Sequence, residues 1–254
     1  MKTCVFAGPS LYGLEVPAGI DRYGPAVMGS VYRAAEAGYL RIGIVDGLFG
    51  DVPSVWHKEI LYAMFAGVEV VGAASMGALR AAELSVFGMV GIGRLYRLFR
   101  SGLWTDDDEV AVMHAPRYFA FRPMSEAMCN IRFTLRRLRR LGLLEQPLEM
   151  ALIAGIKAKH FSERTLGELS RVAAAAAGEG AAVRIAQHIA LEYVDVKAQD
   201  AQALLNYLKQ PTAPTRFTPS EPFPATVHWR KQFEHDLAEV PPLVILAPGP
   251  RLLA

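Results

Sequence analysis

The segment VVGAASMGALRAAEL (residues 70–84) decides the predicted fold of this chain. It begins as a short apolar run, passes through small residues up to Ser75, and continues as a stretch of strong helix formers. A strand, a tight turn and a helix in direct succession are typical of the repeating unit of α/β proteins. We therefore expect a strand at 68–71 and a helix at 76–87.

Two similar apolar runs precede this segment. Residues 3–7 end at Gly8-Pro9-Ser10, and residues 41–45 end at Asp46-Gly47. Between 55 and 65 an apolar residue recurs every four positions, which indicates a helix. Short strands that alternate with helices predict an α/β fold with a Rossmann-like, three-layer core, in which helices cover both faces of a parallel sheet.

The pattern changes in the remainder of the chain. Residues 125–210 have an almost wholly helical pattern, and residues 211–254 are rich in proline with little periodicity. We therefore expect an α/β core over 1–120, an added C-terminal helical subdomain over 121–210, and a proline-rich arm over 211–254. Within that arm, residues 243–246 are a candidate edge strand.

Composition narrows the class of protein. Of the 254 residues, 52% are apolar and 20% are charged, so the chain has enough apolar residues for a packed core. The net charge of +2 is too small to indicate a nucleic-acid partner. The positions of the two cysteines, Cys4 and Cys129, are typical of buried free thiols, which indicates a reducing compartment. No apolar run approaches the roughly 18 residues of a membrane span, and the start is too short for a secretory signal. We expect a cytoplasmic protein without a membrane partner.

Three turns with polar residues fall at predicted strand ends, where open parallel sheets bind ligands. They carry Gly8 and Ser10, Asp46 and Gly47, and Ser75 with Gly77. The carboxyl ends of parallel strands meet at one edge of a sheet. We therefore expect these residues to line one cleft and to contribute to substrate binding.

Ser75 follows a strand and opens a helix, which is the layout of a nucleophile elbow, although Ala73 replaces the first glycine of Gly-x-Ser-x-Gly. In that interpretation Ser75 is the nucleophile, and the start of the helix at Met76 and Gly77 stabilises an oxyanion. Two alternatives remain open. Ser75 can be a helix cap, or its helix N-terminus can bind an anion.

Residues near the start of the preceding helix are candidates for the base. His57 is the predicted general base, because histidine is the residue type most often used for this role. Lys58 is a second candidate base or an anion clamp, and Asp46 is the group predicted to orient the base. Arg80 and Glu83 share a helix face and suit a local ion pair, from which Arg80 can also reach a substrate carboxylate. A purely structural histidine is the alternative for His57.

Two charged clusters lie further along the chain. The acidic run 106–109 suits the solvated start of a helix, with a Mg²⁺ site as the alternative, and we predict no metal and no cofactor. Arg132, Arg136 and Arg140 line one face of a predicted helix, so Arg136 and Arg140 are candidates for binding an acidic protein partner. The alternative is a solvated helix face.

Several segments together resemble the TfuA-like family. They are AGPSL (7–11), IVDGLF (44–49), VWHKEIL (55–61), GAASMGALRAAEL (72–84), FGMVGIGRLY (87–96), DDDEVAVMH (106–114) and SEAMCNIR (125–132). The resemblance covers about residues 3–135. It implies a partnership with an ATP-dependent YcaO enzyme in thioamidation of a ribosomal peptide or protein. It also implies release of sulfide from a small sulfur-carrier protein with a C-terminal thiocarboxylate.

The resemblance leaves two functions to separate. In the first, the chain is a hydrolase that acts on the carrier thiocarboxylate at Ser75. In the second, it is a non-catalytic module that docks the carrier or a precursor peptide onto the YcaO enzyme, with Lys58 and Arg80 as clamps for a C-terminal tail.

Overall fold

The computed structural model describes residues 1–48, 50, 52–211, 223–235 and 243–246. The chain forms two compact units, one of Met1–Leu103 with Asp200–Ala254 and the other of Trp104–Gln199. The predicted boundaries were instead at 120 and 210. They differ because the acidic run 106–109 forms ion pairs inside the second unit, and because the C-terminal part of the last long helix covers the sheet of the first.

The first unit is built on a parallel sheet of five strands in the order β2-β1-β3-β4-β5. The strands are β1 (Thr3–Phe6), β2 (Ile20–Tyr23), β3 (Arg41–Ile44), β4 (Glu69–Gly72) and β5 (Val90–Gly91). The predicted α/β parallel-sheet fold is confirmed. The sequence patterns located β1, β3 and β4. They missed the polar edge strand β2 and the two-residue β5.

One face of the sheet is covered by the helices that connect its strands. These are α1 (Ser30–Glu36), α2 (His57–Phe65) and α3 (Met76–Leu84), and α4 (Gly93–Arg100) follows β5. Their apolar side chains form one core cluster with those of the strands, including Ile42, Ile44, Ile60 and Met64. All three connections run from β2 towards β5. The right-handed crossover rule therefore places their helices on the same face.

The other face is covered by the C-terminal part of α9 (Val196–Lys209). Ala201, Leu204 and Leu205 pack there against Val5 and Val71 of the sheet. Only the β1–β2 connection runs in the opposite direction, and among described residues it contains a single 3₁₀ turn, Pro9–Leu11. A helix from the far end of the chain therefore completes the third layer.

The described parts of the C-terminal segment also belong to the first unit. Residues Val227–Trp229 and Arg230–His235 are helical, and Trp229 and Phe233 are buried against Tyr32. The predicted edge strand at 243–246 is wrong, since these residues form no strand. A hydrogen bond from Leu246 N–H to Arg22 O (2.8 Å) reaches the edge strand β2. The remainder of the predicted arm lies outside the described residues.

The second unit is helical. Its helices are α5 (Met128–Arg140), α6 (Gln146–Lys157), α7 (Leu166–Ala177) and α8 (Glu179–Glu192), which share an apolar core.

Both cysteines are buried free thiols, as predicted. Burial raises the pKa of Cys129 to about 12 and that of Cys4 still further, so neither is a thiolate near neutral pH. Among the described residues, no helix combines the length and the apolar character that a membrane crossing requires.

Glu59 is fully buried, and its carboxylate joins the starts of α1 and α2. Oε1 accepts hydrogen bonds from Gly29 N–H (3.0 Å) and Trp56 N–H (2.8 Å). Oε2 accepts from Val31 N–H (3.0 Å) and Tyr32 N–H (3.3 Å). Burial raises the pKa of Glu59 to about 7, although the four N–H groups favour the carboxylate form.

We predict that Glu59→Gln lowers the free energy of unfolding near pH 5 by about 2 kcal/mol, because the amide nitrogen of glutamine cannot accept the backbone N–H bonds that either oxygen of the protonated carboxyl group can still accept. The folded-state pKa of Glu59 is about 7 against an ordinary value of 4.5. Its contribution to stability is therefore complete below pH 4.5 and is lost as the pH rises towards 7. Chemical denaturation of both proteins between about pH 4.5 and 8 should show the stability gap narrowing. A gap that widens with pH would contradict this assignment.

Candidate functional site

The sheet reverses its strand order between β1 and β3, which is where ligands bind in open parallel sheets. Asp46 lies at this point and is 2% exposed. Its Oδ2 accepts hydrogen bonds from Gly8 N–H (2.8 Å) and Ser10 N–H (3.0 Å), and its Oδ1 accepts from Ser10 Oγ–H (2.7 Å). Three predicted site residues are thus brought together, and the Asp46 carboxylate fixes the turn that follows β1.

Ser75 lies at the next strand end, between β4 and α3. Its N–H donates to Val45 O (3.3 Å) and Ala73 O (2.8 Å), and Ala74 before it has a left-handed backbone with φ of 64°. Ser75 makes no side-chain capping hydrogen bond to α3, so helix capping, one of the alternatives left open by the sequence, is not its role here. Ser75 is 3% exposed.

The turn at Ser75 depends on close backbone contacts of two glycines. A Cβ atom at Gly77 would lie 1.7 Å from Ile44 O, and one at Gly72 would lie 2.0 Å from Gly77 O. The start of α3 therefore sits directly on the ends of β3 and β4. The first glycine of the elbow pattern is replaced at position 73, and Gly72 provides the required space one residue earlier.

The two N–H groups at the start of α3 differ in their bonding. The Gly77 N–H donates to Val45 O (3.2 Å), and the predicted contribution of Gly77 to oxyanion or substrate binding stays a prediction. The Met76 N–H has no protein acceptor among the described residues. Gly47 packs closely against the Met76 side chain, because a Cβ atom at position 47 would lie only 2.7 Å from Met76 Cγ.

His57 is the first residue of α2, and its bonds lead to α3. Its Nε2 lies 2.7 Å from Glu83 Oε2, and Arg80 Nη1 donates to the same oxygen (2.8 Å). Arg80 Nε also donates to Val55 O (3.0 Å), which ties the segment before α2 to α3. Burial raises the pKa of Glu83, but the bonds from His57 and Arg80 outweigh it and the net pKa lies below the ordinary value.

The sequence did not identify Glu83 as the partner of His57. Asp46 was the predicted orienting group, yet it accepts hydrogen bonds from Gly8 and Ser10, and the carboxylate beside His57 belongs to Glu83. Glu83 is eight residues beyond Ser75 on α3, an axial rise of about 12 Å. The i, i+3 spacing with Arg80 was the available signal, and it indicated only the ion pair.

Lys58 contacts the C-terminal segment of the first unit. Its Nζ donates to Thr226 Oγ1 (3.1 Å) and lies 5.7 Å from the centre of the Phe223 ring. In this structure the ammonium group fastens residues 223–226 to the start of α2. The predicted roles of Lys58 as a base or clamp stay predictions.

The acidic run in the second unit is neutralised by cations. Lys157 Nζ lies 3.1 Å from Asp106 and 3.0 Å from Glu109, and it also bonds to Asp108. Two arginines add to this network: Arg164 lies 2.6 Å from Asp108, and Arg132 lies 2.8 Å from Glu109. The carboxylates thus hold the unit together as ion pairs, which differs from the predicted solvated helix start. Oxygen atoms of Asp106, Asp108 and Glu109 also lie within 4.8 Å of one another, so the Mg²⁺ site remains an alternative.

The arginines of α5 divide into paired and unpaired groups. Arg132, Arg137 and Arg139 form ion pairs with Glu109, Glu192 and Glu149 respectively. Arg136 and Arg140 are exposed and have no ion pair among the residues that the structure describes. Of the predicted arginine face, these two side chains remain available to a partner.

Comparison with known proteins supports the resemblance found in the sequence. The family model described as TfuA-like protein matches residues 46–165, a range that runs from Asp46 through Ser75 and α5. The match confirms the predicted resemblance and, at family level, supports an accessory role in thioamidation. No curated protein matches the chain significantly.

We predict that Gly77→Ala destabilises the protein by about 3 kcal/mol, because the new methyl group has to push α3 off β3. Gly167→Ala is the matched control, since Gly167 is likewise the second residue of its helix and a Cβ there would lie 3.7 Å from Thr165 Oγ1. The control should change stability by less than about 1 kcal/mol. Thermal and chemical unfolding measure both changes, and equal effects would refute the close contact at Gly77.

Proposed function

We propose, from the premise that residues 46–165 are TfuA-like, that this chain is an accessory protein of a YcaO enzyme that releases sulfide from a thiocarboxylated sulfur-carrier protein. The observation that carries the proposal is the β4–α3 turn. It places Ser75 beside the Met76 N–H, which has no protein acceptor among the described residues. A serine next to an unpaired N–H at a helix start is the arrangement that acyl transfer requires.

The proposed reaction is hydrolysis in two steps. Ser75 Oγ loses its proton to a base and attacks the thiocarboxyl carbon, while the Met76 N–H stabilises the oxyanion. The protonated base gives this proton to the sulfur, the C–S bond breaks, hydrosulfide leaves, and the carrier is held as an ester on Ser75. Water then attacks this ester, the C–O bond to Ser75 breaks, and the carrier leaves with an ordinary C-terminal carboxylate. The YcaO enzyme uses the released sulfide in thioamidation.

His57 is the proposed base. Its bond through Nε2 to Glu83 stabilises the tautomer in which Nδ1 is the acceptor, with the two ring nitrogens in the opposite roles to those of the Ser-His-Asp triad. The Glu83 carboxylate lies about two helical turns from Ser75, so His57 has to move towards Ser75 when the carrier binds. A side chain that is 48% exposed has room for that movement. Ser75 is 3% exposed, and the proposed substrate is a slender C-terminal tail that is narrow enough to reach it.

We predict that Ser75→Ala reduces sulfide release from purified thiocarboxylated carrier by at least about 100-fold, because the attacking oxygen is removed. Sulfide is measured with a colorimetric probe and the carrier terminus by intact mass. Ser85→Ala is the control, since Ser85 lies at the far end of α3 and its hydroxyl donates to Ala82 O (3.1 Å) within the same helix turn. His57→Gln should lower the rate, because the proposed base is removed. Unchanged release by Ser75→Ala would reject the catalytic role.

The docking function is the second candidate, and the unpaired cations of α5 favour it. Arg136 and Arg140 lie one turn apart on a helix whose other arginines near them are paired. We propose that these two side chains bind an acidic surface of the YcaO enzyme or of the carrier. Docking and hydrolysis are compatible, and the variants below separate them.

We predict that Arg136→Glu with Arg140→Glu weakens binding to the purified partner at least about 10-fold, through loss of attraction and new like-charge repulsion. Arg100→Glu with Arg184→Glu makes the same change of net charge on other helices and is the control. Isothermal titration at two salt concentrations measures the affinities. If both double variants weaken binding equally, only net charge matters and these two side chains are not a docking site.

A further inference from the structure

Residues 113–124 form a loop, termed here the aromatic loop, that presents apolar side chains to solvent. Tyr118 is 97% exposed, Phe119 67%, Met124 55% and Met113 39%. Most large apolar side chains of a folded protein avoid such exposure, and a cluster of them marks an interaction surface.

The backbone of the aromatic loop is closed by its own hydrogen bonds. Ala115 N–H donates to Arg122 O (2.8 Å) and Met124 N–H donates to Met113 O (2.8 Å), on either side of an antiparallel bridge between His114 and Pro123. A 3₁₀ turn at Arg117–Phe119 forms the tip. The exposed side chains are therefore held in a defined arrangement before any partner binds, which reduces the ordering cost of association.

The loop also contains strained backbone. Ala120 and Phe121 are consecutive non-glycine residues with left-handed φ angles of 52° and 58°. The Phe121 ring is buried and packs edge-on against His114 at 5.7 Å between ring centres. One aromatic ring thus anchors the loop from inside, and the turn it enforces directs Tyr118 and Phe119 outwards. Strain of this kind concentrates at functional sites.

The charge of the aromatic loop indicates the chemistry of its partner. It contains Arg117 and Arg122, both exposed, and no aspartate or glutamate. Neither arginine has an ion pair among the residues described. Exposed aromatic rings with unpaired guanidinium groups match the composition of protein interface centres, where tyrosine, phenylalanine and arginine are enriched.

We propose that the aromatic loop inserts into an apolar pocket bordered by carboxylates on a protein partner, and that this partner is the YcaO enzyme of the proposed function, on which the inference rests. A second copy of this chain is less suitable, because it would bring the same basic loop. A lipid surface is also less suitable, since a few apolar side chains and two cations give only weak, reversible membrane association.

The test is a titration of the purified YcaO enzyme with the full chain. Tyr118→Ser with Phe119→Ser should weaken binding at least about 10-fold, and Arg117→Glu with Arg122→Glu should weaken it by a similar factor and reduce its salt dependence. Val183→Ser with Leu191→Ser is the control, because these residues are 57% and 81% exposed on α8 and should leave the affinity unchanged. Unfolding temperatures establish that each variant is folded.

The outcomes separate this inference from the proposed function. If the unmodified chain binds the enzyme and the loop variants bind equally well, the inference fails and the proposed function stands. If the unmodified chain does not bind at all, the proposed partnership fails and the partner assigned to the loop is wrong. Loss of self-association in the variants, or loss of binding to phosphatidylcholine–phosphatidylglycerol vesicles, would assign the loop to a second copy or to a membrane and overturn the inference.

Discussion

Buried carboxylates that accept backbone N–H groups from distant segments hold the first unit together. Glu59 binds the start of α1, Asp46 binds the turn after β1, and Asp200 accepts from Arg94 N–H (2.9 Å) and Leu95 N–H (2.8 Å) at the start of α4. Helix starts and tight turns leave N–H groups without internal acceptors. Each carboxylate satisfies such groups, and in return the N–H groups offset its loss of hydration.

This arrangement determines what Asp46 can do. Its carboxylate already accepts three hydrogen bonds from Gly8 and Ser10, at 2.7–3.0 Å. Redirecting it towards a histidine would break these bonds in a buried place and release the turn after β1. The structure therefore favours Asp46 as the residue that shapes the strand-end site, while Glu83, which is partly exposed and already bonded to His57, is the better carboxylate for a proton-transfer pair.

The sequence predicted the fold where local pattern determines structure. Alternation of apolar strands with helices located β1, β3, β4, α2 and α3, and the ends of those strands gave the position of Ser75 and Asp46. The third layer was not predictable in this way. The helix that starts at Val196 covers the sheet face that the β1–β2 connection leaves open. The apolar periodicity of this helix predicts that one of its sides is buried, but it does not predict which face of the sheet that side covers.

Pairings within the site were less predictable than its position, because they depend on the rotation of whole helices. His57 lies near Ser75 in the order of elements, but α2 and α3 are oriented so that His57 contacts Glu83 instead.

The backbone conformation of Ala74 was also not predictable from the local sequence. Its left-handed φ of 64° would favour glycine, yet its methyl group is fully buried in the layer formed by Val45, Val71 and the C-terminal part of α9. Burial of this methyl group offsets the strain at Ala74. The turn that carries Ser75 therefore shares its core cluster with a helix more than 120 residues away in sequence.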